Sequence, residues 1–249
     1  MIYIHVPFCH RKCTYCAFYS KSVGSGQLVF DGYVDALIEE MRQRRDEQAH
    51  PIKTVYFGGG TPSILPLSEL ERIVKALHDN FDLSQVEEVT LEANPEDLTT
   101  DYLQGIKKIG LINRLSIGIQ SLDDEMLRLL NRRHTAQQAI DAVENAHTTG
   151  FDNISVDFIY GLPSMPGLTS STSMTSLASK VSHLSAYALT VEPGTALAVQ
   201  VEQGRVVLPD EDEVVRQYHS LCQQFRTAGF QQYEVSNFAR PGYESKHSG

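Results

Sequence analysis

The stretch Tyr3-Ile4-His5-Val6-Pro7-Phe8-Cys9-His10-Arg11-Lys12-Cys13-Thr14-Tyr15-Cys16 decides how the rest of the chain is read. An apolar, β-branched run ends in three cysteines spaced Cys-x3-Cys-x2-Cys. A structural zinc site takes four thiolate or imidazole ligands. An iron–sulfur cubane ligated entirely by protein takes four cysteines. Three thiolates on one short loop leave one iron open to something that is not protein. That is the arrangement of a site that binds and activates a small molecule on the cluster.

The bulk properties are compatible with such a site. The chain has 249 residues, 41% of them apolar, enough for a real core in one large domain or two small ones. Its net charge of −10 gives no broad basic surface, so a nucleic-acid partner is not expected. No run of about 18 apolar residues marks a transmembrane helix. The N-terminus does not read as a secretory signal. Four cysteines are too few for a disulfide framework. The clustered three read as reduced metal ligands, which implies the cytoplasm. Cys222 shares a helical stripe with Tyr218, Leu221 and Phe225 and reads as a small buried apolar residue.

Outward from the cysteines, short apolar runs alternate with helical patterns. Strands are expected at 2–6, 54–57, 88–92, 114–119, 153–159, 184–189 and 232–235, reading as nearly continuous hydrophobic runs buried on both faces. Phe30, Val34, Leu37, Ile38 and Met41 make one helical face. Ser68 with Glu71, and Thr135 with Gln138, read as capping boxes, Asp210 with Glu213 as a further helix start, and Ser121 as a cap. Gly150 and Gly229 stop helices. The Ser- and Thr-rich stretch 164–182 predicts a poor helix with a loop-like start, its stripe made by Leu177, Ala178 and Val181. The alternation predicts an α/β barrel or an open α/β sheet with parallel strands; pattern alone does not separate the two.

Each informative motif falls at a strand end, where parallel α/β barrels build their sites. Gly58-Gly59-Gly60-Thr61-Pro62 lets backbone approach a ligand and offers N–H groups, and reads equally as a tight turn. Glu92 and Asp157 end apolar strands, where a carboxylate is costly unless it meets a cation or a donor; each also reads as a cap or surface ion pair. Gln120 can donate and accept. Arg132 can grip a carboxylate bidentately, or end a helix in solvent as Arg133 does. His5, His10 and His134 are open to a ligand role or a structural one.

The chain resembles radical S-adenosylmethionine (SAM) proteins, and more narrowly the oxygen-independent coproporphyrinogen III oxidases and the related HemW heme chaperones. The resemblance runs through Tyr-Ile-His-Val-Pro-Phe-Cys-x3-Cys-x2-Cys, Tyr-Phe-Gly-Gly-Gly-Thr-Pro-Ser, Leu-Glu-Ala-Asn-Pro, Ser-Ile-Gly-Ile-Gln-Ser, Asp-Phe-Ile-Tyr-Gly-Leu-Pro and Tyr-Glu-Val-Ser-Asn-Phe-Ala. It implies a partial (β/α)6 barrel with a [4Fe-4S] cluster on Cys9, Cys13 and Cys16 and SAM on the open iron. By the same resemblance Tyr3 and Tyr15 lie beside cluster and SAM. Gly59, Gly60 and Thr61 receive the methionyl amino end. Glu92, Gln120, Arg132 and Asp157 contact SAM, and Thr190 matches an adenine contact.

Two departures divide the resemblance. The oxidases carry a fourth cysteine where this chain has Phe18, and they extend upstream of the cysteine loop, whereas Tyr3 stands two residues from Met1. Both favour the HemW branch, whose members bind heme and hand it to apoproteins. The implied partners are heme or porphyrin, an electron donor of flavodoxin or ferredoxin type, and heme-accepting apoproteins. The alternatives are the oxidase, an oxidoreductase of porphyrin biosynthesis, and an iron–sulfur module that never cleaves SAM. The expected core runs over 1–235. Residues 236–249 read as the start of a linker to a further C-terminal domain, since the family's His-Asn-x-x-Tyr-Trp motif begins at a His matching His247 and is not continued by Ser248.

Overall fold

The computed structural model describes residues 1–23, 28–163 and 171–247. In chain order the elements begin with β1 (Ile2–Val6), the short pair β2 (Phe8–Cys9) and β3 (Lys21–Ser22), α1 (Leu28–Arg44), β4 (Thr54–Gly59) and α2 (Leu67–Asn80). There follow β5 (Glu88–Ala93), α3 (Thr100–Ile109), β6 (Arg114–Gln120), α4 (Asp124–Leu129), α5 (Ala136–Thr148), β7 (Asn153–Tyr160) and α6 (Ser171–Ala178). The remainder is β8 (His183–Ala188), α7 (Ala196–Glu202), α8 (Glu211–Thr227), β9 (Gln231–Gln232) and β10 (Asn237–Ala239).

The main sheet has eight strands in the order β1-β4-β5-β6-β7-β8-β10-β9. The first six are parallel, each beside the next in sequence, and β10 runs antiparallel between β8 and β9. A doubly wound sheet reverses its strand order midway. This order never reverses, so the sheet curls in one sense, and β1 and β9 remain as edges. The result is the partial six-strand parallel barrel expected.

Residues two apart share a face of a strand. The outer set, including Ile4, Val55, Phe57, Val89, Leu91, Leu115, Ile117, Ile154 and Val156, is buried with Val34, Leu70, Ile73, Leu77, Leu103, Ile106 and Val143 of the helices. Each such aliphatic side chain stabilises the fold by roughly 1.5–3 kcal/mol on burial. The inner set is different. Thr54, Glu88, Thr90, Arg114, Ser116, Ser155, His183 and Ser185 are buried and polar. The strands are therefore buried on both faces as expected, but apolar on only one.

Local expectations fared unevenly. The Thr135–Gln138 capping box is present and the Asp210 side chain accepts from Glu213 N. The Ser68–Glu71 box is not: α2 already begins at Leu67, after Pro66, with no side-chain cap. Pro66 carries no N–H and is preset for a helix entry, so Ser68 falls inside the first turn. Ser121 precedes the true cap of α4, which is Asp123. The stretch 164–170 lies outside the described residues, but α6 follows with Leu177, Ala178 and Val181 buried. The last strand expected, at 232–235, is instead β9 and β10 around a turn. The sheet thus continues past residue 235, because β10 pairs with both β8 and β9. Beyond it the chain returns to the start of β5, where Lys246 N and His247 N donate to the Glu88 carboxylate, each at 3.2 Å.

Candidate functional site

A cavity of about 680 Å³ fills the inner side of the parallel strands. Cys9, Cys13, Cys16, Tyr15, Gly59, Gly60 and Thr61 line one wall. Glu92, Gln120, Arg132, Asp157 and Thr190 line the rest. Every contact residue expected from the sequence is here except Tyr3, which is half exposed and lines a second cavity between β1 and α1. Tyr3 instead stacks on Tyr56, with ring centroids 6.0 Å apart.

The cysteine loop is held at three places. Lys21 N donates to Pro7 O at 2.7 Å and Val23 N to Cys9 O at 2.9 Å, closing the β2–β3 pair. Between the second and third cysteines, Thr14 is tied twice to the end of α4, through its N to Leu130 O at 3.1 Å and its hydroxyl to Leu129 O at 3.0 Å. Leu197 N at the start of α7 donates back to Thr14 O at 2.8 Å. A loop with its backbone bonds so engaged presents its side chains in a fixed arrangement.

Cys9, Cys13 and Cys16 are free thiols, each half-buried. The Thr61 hydroxyl donates to Cys9 Sγ and the Arg132 guanidinium to Cys13 Sγ, both at 3.4 Å. Burial pushes the Cys16 thiol up, opposed by the Phe18 N–H and reinforced by Cys13 and Cys9. Among the described residues no three His, Cys, Asp or Glu side chains close on a single metal ion. A cluster spreads its ligands farther apart than one ion does, and hydrogen bonds to cysteine sulfur tune such clusters. Three thiols on one wall, two of them already met by donors, fit a cubane rather than a mononuclear site.

The glycine turn works differently from the expectation of free N–H groups. Gly60 N donates to Val6 O at 2.8 Å, Thr61 N to Phe8 O at 2.7 Å and Gly59 N to Glu92 Oε2 at 3.2 Å. A Cβ on Gly60 would stand 2.5 Å from Phe8 O. The turn therefore needs glycine to lie against the backbone leading into Cys9. Its N–H groups are committed to protein, and what it can still offer a ligand is carbonyl oxygen, the acceptor an ammonium requires.

The carboxylates sit deep. Glu92 accepts from the Tyr56 hydroxyl at 2.7 Å, yet burial raises it from its ordinary 4.5 to about 7. Asp157 is also pushed up by burial, with Arg114 and the hydroxyls of Ser185 and Ser116 opposing. Arg132 donates to Asn94 Oδ1 and Gly118 O, both at 2.6 Å, besides Cys13. Burial would lower it, but Tyr15 and Cys13 hold it charged. Gln120 has φ 70° and follows a register shift against β7. A non-glycine residue in the left-handed region marks local strain held by its surroundings, and Gln120 lines the cavity at this irregularity.

Sequence reading missed Tyr56, Arg114, His183 and the inner serines. Their signal is the period of two, as in Arg114-x-Ser116-x-Gly118 and His183-x-Ser185-x-Tyr187, masked by the apolar residues between. The histidines singled out have structural partners. His134 is buried with Nε2 3.0 Å from Ile119 O, and His10 lies 3.8 Å from Asp97. The ring of His5 packs against Gly59. Cys222 is buried in the core as expected.

Comparison with known proteins agrees with this geometry. The family model of the radical SAM superfamily matches residues 3–166. The chain is 37% identical over 247 residues to the heme chaperone HemW of Lactococcus lactis, covering 99% of this chain and 64% of that protein. It is 34% identical to HemW of Escherichia coli K12, again covering 64% of it. The chain thus spans just under two thirds of the length of these relatives. The solved structure of the coproporphyrinogen III oxidase HemN of Escherichia coli, a radical SAM enzyme, superposes with a TM-score of 0.82 at 27% identity, over 97% of this chain and 55% of that one. Radical SAM proteins use a [4Fe-4S] cluster and SAM, the pair that a three-cysteine loop above a polar barrel lumen can serve. Motif, fold and family match coincide over the same residues, and the chain belongs to the radical SAM superfamily.

Proposed function

We propose that this chain is a HemW-like radical SAM domain that serves heme binding and delivery to apoproteins. Cys9, Cys13 and Cys16 hold the [4Fe-4S] cluster, and SAM occupies the cavity beside it. When bound, the cluster supplies the electron that splits the sulfonium bond of SAM. The protein's own residues do the rest. Thr61 and Arg132 donate to the cysteine sulfurs. The carbonyls of the glycine turn and Glu92 accept from the ammonium of SAM, while Gln120 and Asp157 bond its polar edge. Tyr15, packed against the cluster of Met126, Leu130, Ile159 and Leu162, excludes water from that end. Tyr3 acts from behind, by supporting Tyr56.

The observation that carries the choice of branch is Phe18, 72% exposed at the cavity rim where the oxidases place a cysteine. An exposed aromatic ring offers a porphyrin face a contact and offers iron no ligand. The HemW relatives support the same branch, and HemN supports the oxidase as the second reading. Among the described residues no helix is long and apolar enough to cross a membrane. A reduced cysteine triad supports a cytoplasmic setting, where a flavodoxin or ferredoxin type protein would serve as electron donor.

The test is anaerobic reconstitution of this chain with iron and sulfide. About four irons per chain, retention of SAM and one bound heme, with coproporphyrinogen III left intact, are expected. Stoichiometric conversion to protoporphyrinogen IX would move the assignment to the oxidase. A cluster that forms without SAM binding would favour the non-cleaving iron–sulfur module.

A further inference from the structure

Arg114 opens β6 on the inner face of the barrel, level with Thr90. It is only 3% exposed, yet it lines the cavity. A guanidinium has five N–H donors. Among the described residues one hydrogen bond is made, from Nη1 to Thr90 Oγ1 at 3.4 Å, and Nε is buried without a partner. Among the described residues no carboxylate lies within ion-pair distance of it, although Glu92 and Asp157 share the cavity. Its charge acts on Asp157 of β7 and His183 of β8 and on Glu92, and His183 is itself bonded to the Ser155 hydroxyl at 2.8 Å. Burying a cation with so few acceptors is costly unless a ligand completes its shell.

We propose that Arg114 is the floor of a carboxylate subsite in the barrel lumen, separate from the cysteine wall. The planar fork of a guanidinium matches a carboxylate or phosphate bidentately. Glu92 and Asp157 in the same chamber would oppose a doubly charged phosphate, so a singly charged carboxylate is the better occupant. Two sources carry that group: the propionate of a porphyrin and the amino-acid end of SAM. The proposal rests on the function proposed above for the identity of these ligands, not for the existence of the subsite.

The experiment compares acids with analogues that lack the free carboxylate, for wild type, Arg114→Met and Arg114→Lys. Protoporphyrin IX and its dimethyl ester are titrated by absorbance into the reduced chain. SAM and decarboxylated SAM are measured by equilibrium dialysis on anaerobically reconstituted chain. A bidentate charge-assisted pair predicts that the preference for the acid falls about ten- to hundredfold in both variants, for one ligand pair. A fall in the porphyrin pair assigns the subsite to a propionate, and a fall in the SAM pair assigns it to the amino-acid end. Lysine keeps the charge but not the fork, so a role in charge balance alone predicts an unchanged preference in Arg114→Lys and overturns the subsite. Unchanged preference for both pairs in a variant with wild-type circular dichroism also overturns it. If porphyrin fails to bind wild type at all, the heme reading falls, while the SAM pair still decides the subsite.

Discussion

Glu92 provides the sharpest test of the lumen, because its proton is coupled to folding. Its carboxyl rises from 4.5 to about 7 in the fold, mainly by burial, with Asp157 adding to the rise. Between those values the folded chain holds a proton that the unfolded chain has released. The stabilisation linked to that proton is fully present below pH 4.5 and is lost as pH rises through 7. A tenfold difference in proton affinity is worth about 1.4 kcal/mol, so the interval corresponds to about 3 kcal/mol. The perturbation is Glu92→Gln, which keeps the shape and removes the titration. Urea unfolding of the reduced, cluster-free chain at pH values from about 4.5 to 8 gives the stability at each point. Wild type should lose roughly 3 kcal/mol more than the variant across that range, including the repulsion with Asp157 that the substitution also removes. Tyr56→Phe removes the 2.7 Å donor that favours the ionised form. It should move the wild-type loss upward by about one pH unit. Parallel stability profiles for wild type and Glu92→Gln would refute the buried, protonated carboxyl.

Three further outcomes follow from particular contacts. Gly60→Ala forces a Cβ against Phe8 O and should cost about 1–3 kcal/mol in urea unfolding while lowering iron retained on reconstitution. Thr135→Ala removes a capping box and should cost about 1 kcal/mol, whereas Ser68→Ala, without a cap to lose, should stay within about 0.5 kcal/mol by the same measurement. Cys13→Ala should abolish the absorbance near ~400 nm of the reconstituted cluster; its survival would remove Cys13 from the ligand set.

Much of the architecture was legible because it depends on local pattern. The six parallel strands were found within two residues at each end, since a buried β-branched run bounded by Gly, Pro or Asn leaves few other readings. The cap at Asp210 was read correctly because its partner is three residues away. The cap expected at Ser68 failed because Pro66 starts α2 earlier. The cavity lining was likewise accessible, since a parallel barrel puts strand ends together whatever its sequence. Which strand-end groups are engaged was not. Gly59, Gly60 and Thr61 looked like free donors until β1, β5 and the entry to Cys9 were placed beside them.

What the sequence by itself determined is the chemistry that three thiolates on one loop can hold, the alternation of strands and helices that puts a motif at each strand end, and the substitution of Phe18 for a ligand. Only the tertiary structure decided what lies under that loop. The inner face alternates with the core face every second residue, so its polar members are diluted among apolar neighbours along the chain. They become a group only when six strands curl together. Tyr56 then meets Glu92, Arg132 reaches Cys13 and Asn94, and Arg114 is left buried in the lumen with its Nε, among the described residues, unpartnered. Those contacts join residues tens of positions apart, and such distances are set by packing rather than by any local preference of the chain.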